Sequence, residues 1–171
     1  DEVRAVMMPS QFTAQMSLDD SAEMVRRTGV QYDVIPIRPV LDAFLTQMQS
    51  QFAGKKPDLT EENLQSRIRG TMLMALSNQT GAMVLTTGNK SEMAVGYATI
   101  YGDMAGGFAV IKDVAKTMVW DLCRWRNTQS AVIPENIITR APTAELREDQ
   151  TDQDSLPEYP VLDAIVEAYI E

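Results

Sequence analysis

The sequence contains no histidine and a single cysteine, Cys123, in 171 residues. Those absences exclude Ser-His-Asp and Cys-His catalysis, His-ligated metals, Cys-rich zinc sites and an intrachain disulfide framework. Any chemistry must therefore use carboxylates, Lys, Arg, hydroxyls and backbone dipoles. No window reaches the roughly 18 apolar residues of a membrane span, and the N-terminus carries no signal-peptide pattern. A cytoplasmic protein without a membrane partner is expected. Basic runs are missing too, which argues against nucleic acid, because phosphate binding is driven by Lys and Arg releasing counterions.

What is present is the composition of a globular domain: 44% hydrophobic and 23% charged residues, so a core is expected rather than disorder. The length suits one domain spanning residues 1–171. Of the net charge of −9, residues 145–171 hold −8, with nine acids against Arg147 alone. The acidity is a property of the tail.

Val3 to Met8 and Tyr32 to Ile37 read as strands. Between them Ser17, with Asp20 three residues on, fits a capping box, and Gly29 fits a helix stop. The unit is βαβ, which makes the two strands parallel. Leu41, Phe44, Leu45, Met48 and Phe52 then form one helical stripe after Pro39, and residues 54–58 (GKKPD) read as a loop. Asp58 or Thr60 caps a longer helix bearing Leu64, Ile68, Met72 and Leu76 and running to about Asn78 before Gly81. Ala82 to Thr87 reads as a third strand, and Phe108 to Ile111 as a short one after a Gly-rich stretch. A helix from about Asp113 to Arg126 carries the stripe Val114, Met118, Leu122 and Trp125. Residues 128–160 read as irregular and partly mobile, and Leu162, Ile165, Val166 and Tyr169 mark a terminal amphipathic helix.

Residues 87–92 (TGNKSE) place a hydroxyl, a glycine and a carboxylate at a strand-to-helix turn, on the side of an α/β sheet where ligands bind. Such a turn offers N–H groups to a phosphate, with Glu92 available to an accompanying Mg²⁺. Asn89 and Glu92 equally fit an ordinary capping box, and the two readings can coexist. Arg67 and Arg69 read as a solvated helix flank. Lys112 and Lys116, four apart where the dipole disfavours cations, hint at an anionic partner. Tyr97 and Tyr101 read as half-buried loop aromatics, and Met72, Met74, Met83 and Met93 as core residues.

Three segments carry a family resemblance: residues 61–69 (EENLQSRIR), 86–114 (TTGNKSEMAVGYATIYGDMAGGFAVIKDV) and 142–154 (PTAELREDQTDQD). Together they resemble the NAD synthetases, most closely the glutamine-dependent, two-domain kind. The resemblance implies a Rossmann-like, doubly wound parallel sheet with helices on both faces, of the adenine nucleotide alpha hydrolase-like type, with sheet order 3-2-1-4-5. It implies ATP-dependent amidation of deamido-NAD through an adenylated carboxylate, with ammonia supplied from glutamine by a glutaminase domain of the same polypeptide, and a homo-oligomer. Carried onto this sequence, Thr87, Lys116 and Thr143 are ATP-binding, Asn63, Arg67 and Glu92 deamido-NAD-binding, and Glu92 also the Mg²⁺ contact.

The sequence departs from the pattern in places. Ile100 and Gly107 stand where single-domain relatives have Lys and Asp, so substrate contacts of this loop do not carry over. The pyrophosphate-binding motif Ser-Gly-Gly-x-Asp-Ser is absent, since the only glycine pair, Gly106-Gly107, follows Ala105. The chain also begins at Asp1, directly before a strand. The expectation is therefore a fold incomplete by its first strand, part of a larger synthetase and inactive alone. The competing readings are an inactive interaction or dimerisation module, and another amidating or thiolating ATP pyrophosphatase.

Overall fold

A computed structural model of the chain describes residues 3–170; Asp1, Glu2 and Glu171 lie outside the described residues. The first parallel pair is β1 (Arg4–Met7) with β2 (Gln31–Val34), joined by α1 (Gln15–Thr28). Its register sets Arg4 opposite Gln31 and Met7 opposite Val34. The pairing runs on beyond the strands, where Ile35 N–H donates to Met7 O and Ile37 N–H to Pro9 O. This confirms the parallel βαβ unit. Gly29 ends α1 in the left-handed conformation, with φ 70°, as its sequence position implies.

The expected capping box of α1 does not form. The N-cap is Ala14, and Ser17 and Asp20 lie inside the helix. Both side chains serve tertiary contacts instead: Ser17 donates to Glu145, and Asp20 accepts from Asn136 Nδ2 at 2.6 Å. The single helix expected after Pro39 is two, α2 (Arg38–Gln47) and α3 (Gln49–Phe52), interrupted at Met48. Only Leu41 of its stripe is buried, with Leu45 packed beside it, while Phe44 and Met48 are exposed.

The long helix α4 (Leu59–Thr80) starts where Asp58 accepts from Thr60 N–H at 2.7 Å and Glu61 returns to Asp58 N–H at 2.8 Å. Ile68 joins Ile37 and Leu41 in one core, flanked by Met8, Leu45, Leu64 and Met72. The third strand is shorter than expected: β3 (Leu85–Thr86) pairs in parallel with β4 (Phe108–Ala109). Glycines allow the backbones around it to approach closely. A Cβ on Gly106 would come within 2.9 Å of Val84 O, and one on Gly70 of α4 within 2.7 Å of Gly102 O. The Gly-rich stretch is thus pressed between α4 and β3.

The helix α5 (Lys90–Val95) follows β3. The next helix, α6 (Lys116–Gln129), begins three residues later than expected, because Ala115 is extended and the caps come from elsewhere in the fold. Residues 128–160 hold a short α7 (Glu135–Thr139) and a 3₁₀ turn (Asp152–Asp154) before α8 (Tyr159–Ile170). A second core joins Tyr159, Leu162 and Val166 of α8 to Trp120 of α6 and to Leu156. Trp120 thus takes the place expected for Met118, Leu122 and Trp125, which are exposed, Trp125 by 61%. Met74, Met83 and Met93 are likewise exposed rather than core, and Tyr101 is 81% exposed with φ 64°.

The chain is therefore α/β with short parallel sheets, and among the described residues the β1–β2 and β3–β4 sheets are separate. Among those residues, no helix is long and apolar enough to cross a membrane.

Candidate active site

A cleft of about 1400 Å³ opens between the two sheets, with β1 on one wall and residues 82–87 on the other. Five of the six expected site residues line it: Asn63, Thr87, Glu92, Lys116 and Thr143. They come from α4, the end of the third strand, α5, α6 and the irregular segment after α7. Arg67 does not line it. Its side chain is exposed, and Nε donates to Ile100 O at 3.2 Å.

The centre of the arrangement is an ion pair, Lys116 Nζ to Glu92 Oε1 at 3.3 Å, with both side chains about four-fifths buried. Glu92 does two jobs. Its Oε2 accepts from Asn89 N–H at 3.3 Å while its own N–H donates to Asn89 Oδ1 at 3.0 Å, so the expected capping box is present. The box fixes the carboxylate that meets the lysine. Below the ammonium lies the ring of Tyr159, with its centroid 5.3 Å away, a cation–π contact.

Tyr159 is held in turn by Asp152, which accepts from its hydroxyl at 2.6 Å and from that of Tyr97 at 3.1 Å. Burial first, and the Asp152 carboxylate second, push both phenols well above the usual tyrosine range. Tyr97 is thus half-buried as expected, but the three-residue chain from Tyr97 through Asp152 to Tyr159 joins positions 62 residues apart and has no local sequence signal.

On the opposite wall, Arg69 is mostly buried in the cleft lining, with Nε donating to Met8 O at 2.9 Å. Burial lowers its pKa, and Glu145 partly opposes that shift. Sequence position had placed it with Arg67 on a solvated flank. Two residues apart on a helix is about 200° of rotation, so the two guanidiniums face different sides. Arg140, also in the lining, binds Glu145 at 2.7 Å and Ser17 Oγ at 2.8 Å.

The segment carrying Thr143 is irregular, as expected, yet it is tied down. Gln65 donates to Leu146 O at 2.8 Å, Gln150 donates to Glu62 at 3.1 Å, and Arg147 pairs with Glu62 at 3.3 Å. The hydroxyl of Thr143 accepts from Glu145 N–H at 3.1 Å, which leaves its proton to donate.

Among the described residues the side chains form no all-protein metal cage, since no three acidic, His or Cys groups cluster. A Mg²⁺ carried by a nucleotide would need only one or two carboxylates, of which Glu92 in the cleft lining could be one, beside the ammonium and backbone N–H it already holds.

Comparison with known proteins decides the family. The NAD synthase family model matches residues 1–171. The chain belongs to that family. It is 57% identical to a glutamine-dependent NAD(+) synthetase of Acinetobacter baylyi and 56% to one of Thermotoga maritima, covering all of this chain but only 32% and 30% of those proteins. The chain thus spans about a third of the length of the curated relatives it matches. Among solved structures, a glutamine-dependent NAD+ synthetase from Acinetobacter baumannii in complex with ADP superposes with a TM-score of 0.79 at 50% identity, over 98% of this chain and 30% of that one. An NMN synthetase from Francisella tularensis gives 0.88 at 27% identity, over 98% and 67%.

Proposed function

We propose that this chain supplies the nucleotide-facing part of an active site that amidates deamido-NAD to NAD at the expense of ATP. The observation that supports it most is the convergence of Asn63, Thr87, Glu92, Lys116 and Thr143, from five separate segments, on one cleft. The reading rests further on the family membership and on the glutamine-dependent relatives.

In this reading the substrate carboxylate attacks the α-phosphorus of ATP, the bond to the bridging oxygen breaks, and pyrophosphate leaves. Ammonia then attacks the acyl carbon, AMP departs with its carboxyl-derived oxygen, and a proton passes to solvent. No histidine is needed, because positioning and charge stabilisation dominate phosphoryl chemistry of this kind. Lys116 meets the phosphates, Glu92 aims the ammonium, and the hydroxyls of Thr87 and Thr143 donate to phosphate oxygens. Asn63, buttressed by Thr99 Oγ1 at 2.9 Å, faces deamido-NAD. Arg67 reaches that substrate only from the rim, beside the 96–108 loop. A Mg²⁺ would enter with ATP and neutralise phosphate charge, Glu92 would be the residue to hold it, and no step is assigned to it.

The part of the cleft between the β1 and β3 edges takes a further strand of a longer polypeptide, which also brings the phosphate loop that residues 1–171 lack. The β1 and β3 strands, each paired on one side only among the described residues and both lining the cleft, support this. The part lined by Glu92, Lys116 and Thr143 takes the nucleotide. A glutaminase domain of that polypeptide supplies ammonia, the protein works in the cytoplasm, and the exposed Met118, Leu122 and Trp125 favour a homo-oligomer. The likeness to the NMN synthetase favours one competing substrate, a pyridine mononucleotide. The test is NAD formation by a full-length protein carrying this chain, with ammonium, ATP and either deamido-NAD or nicotinate mononucleotide. Deamido-NAD is expected to be the better substrate by kcat/KM, and no amidation of either acid would contradict the proposal.

A further inference from the structure

The N-terminus of α6 has no cap of its own. Ala115 precedes it and offers no side-chain acceptor, and no acidic residue lies in its first turn, where Lys116 instead places a cation against the dipole. The caps come from two distant segments. Lys116 N–H donates to Ser91 Oγ of α5 at 2.8 Å, and Thr117 N–H donates to Asp163 Oδ2 of α8 at 2.9 Å. Ser91 and Asp163 are joined directly, the serine hydroxyl donating to Asp163 Oδ1. All the directions are fixed by chemistry. A carboxylate only accepts, so the serine proton points at Asp163, and the serine lone pairs are left to take Lys116 N–H. Both residues are buried, Ser91 at 1% and Asp163 at 8% exposure.

The consequence concerns Lys116. Its backbone is held by Ser91, the next peptide by Asp163, and its ammonium is held between Glu92 and the Tyr159 ring. Ser91 and Glu92 are neighbours on α5, while Tyr159 and Asp163 lie one turn apart on α8. One helix therefore supplies a backbone contact and a charge contact to Lys116, and the other a ring contact to the lysine and a backbone contact to Thr117 beside it. Asp163 also places a negative charge at the helix end, which offsets the repulsion between the dipole and the lysine.

We infer that Asp163, acting through Ser91 and the first turn of α6, is the positioning residue that sets Lys116 for ATP. The inference rests on the reading of Lys116 as a phosphate contact. Asp163 touches no substrate. Removing it leaves Thr117 N–H and the Ser91 proton without acceptors, frees the start of α6 to fray, and lets the ammonium drift from its place above Tyr159.

The test is a double-mutant cycle in a full-length protein carrying this chain, with ATP and deamido-NAD each varied. Asp163→Ala is expected to lower kcat/KM for ATP by roughly ten- to a hundredfold, since small misplacements in an active site cost that much, and to leave the KM for deamido-NAD nearly unchanged. In a Lys116→Ala background the same substitution is expected to change kcat/KM for ATP by less than about threefold, because its effect passes through the lysine. Asp163→Asn, which keeps one acceptor but turns an N–H toward Ser91, falls between Ala and wild type. Ser91→Ala gives the same coupling if Asp163→Ala does not fold. Effects of Asp163 and Lys116 that multiply independently, or an unchanged kcat/KM in a folded Asp163→Ala variant, would overturn the inference while leaving the site reading intact. A Lys116→Ala substitution that leaves kcat/KM for ATP unchanged would remove both.

Discussion

The ammonium of Lys116 lies 5.3 Å from the centroid of the Tyr159 ring. Because the Tyr159 hydroxyl is held by Asp152 at 2.6 Å, the ring and the hydroxyl can be tested apart. Tyr159→Phe keeps the ring and leaves Asp152 with Tyr97 alone, so a stability loss of about 1–3 kcal/mol is expected, with the KM for ATP little changed. Tyr159→Leu loses the ring as well and is expected to raise the KM for ATP. Thermal melts and steady-state kinetics on the two variants separate the terms.

Glu92→Gln should affect turnover more than stability. The amide keeps an acceptor for Asn89 N–H but loses the charge that faces Lys116. Turnover is expected to fall at least about tenfold, the scale of a lost active-site charge contact. The melting temperature should fall by less than the roughly 2–4 °C equivalent to 1 kcal/mol. Turnover within about threefold of wild type, with a larger drop in melting temperature, would reduce Glu92 to a helix cap.

The tyrosines give a pH dependence with a defined sign. Tyr97 and Tyr159 hold their protons in the folded chain at pH values where unfolded tyrosines ionise, near 10. Unfolding above that pH releases protons, so their contribution is complete below about pH 10 and declines as pH rises further. Melting temperatures from pH 8 to 11 should show a fall at the alkaline end that is shallower in Tyr97→Phe. An identical fall in both proteins would contradict the assignment.

Gly70 lies inside α4, where intrinsic propensity favours alanine by about 1 kcal/mol. The structure predicts the opposite result. A Cβ there would meet Gly102 O at 2.7 Å and Tyr101 O at 2.9 Å, both backbone atoms that cannot move alone. Gly70→Ala is expected to destabilise by about 1–3 kcal/mol by denaturant titration, the usual cost of overpacking.

How much of this was legible beforehand follows the range of each interaction. The capping box at Asn89 depends on residues three apart and formed as its spacing implies, and of the two cap candidates Asp58 and Thr60 it is Asp58 that caps α4, with Glu61 completing a box. Ser17 and Asp20 have similar spacing but serve partners more than 100 residues away, which no local pattern reports. The stripe of Met118, Leu122 and Trp125 has correct helical periodicity, yet α6 packs on α8 through Trp120. Periodicity shows that a face exists, whereas the partner helix decides which face is buried. Positions of the site came from motif resemblance, and Arg69, Arg140 and Asp163 emerged only when the fold brought their segments together.

The most direct test of the central claim is exchange of labelled pyrophosphate into ATP by a full-length protein carrying this chain, with deamido-NAD present and ammonia and glutamine absent. Adenylation at this cleft predicts exchange that requires deamido-NAD and falls by at least about a hundredfold in Lys116→Ala, the scale of a lost preorganised charge contact. Formation of ADP and phosphate in place of AMP and pyrophosphate, or exchange unaffected by loss of Lys116, would contradict it.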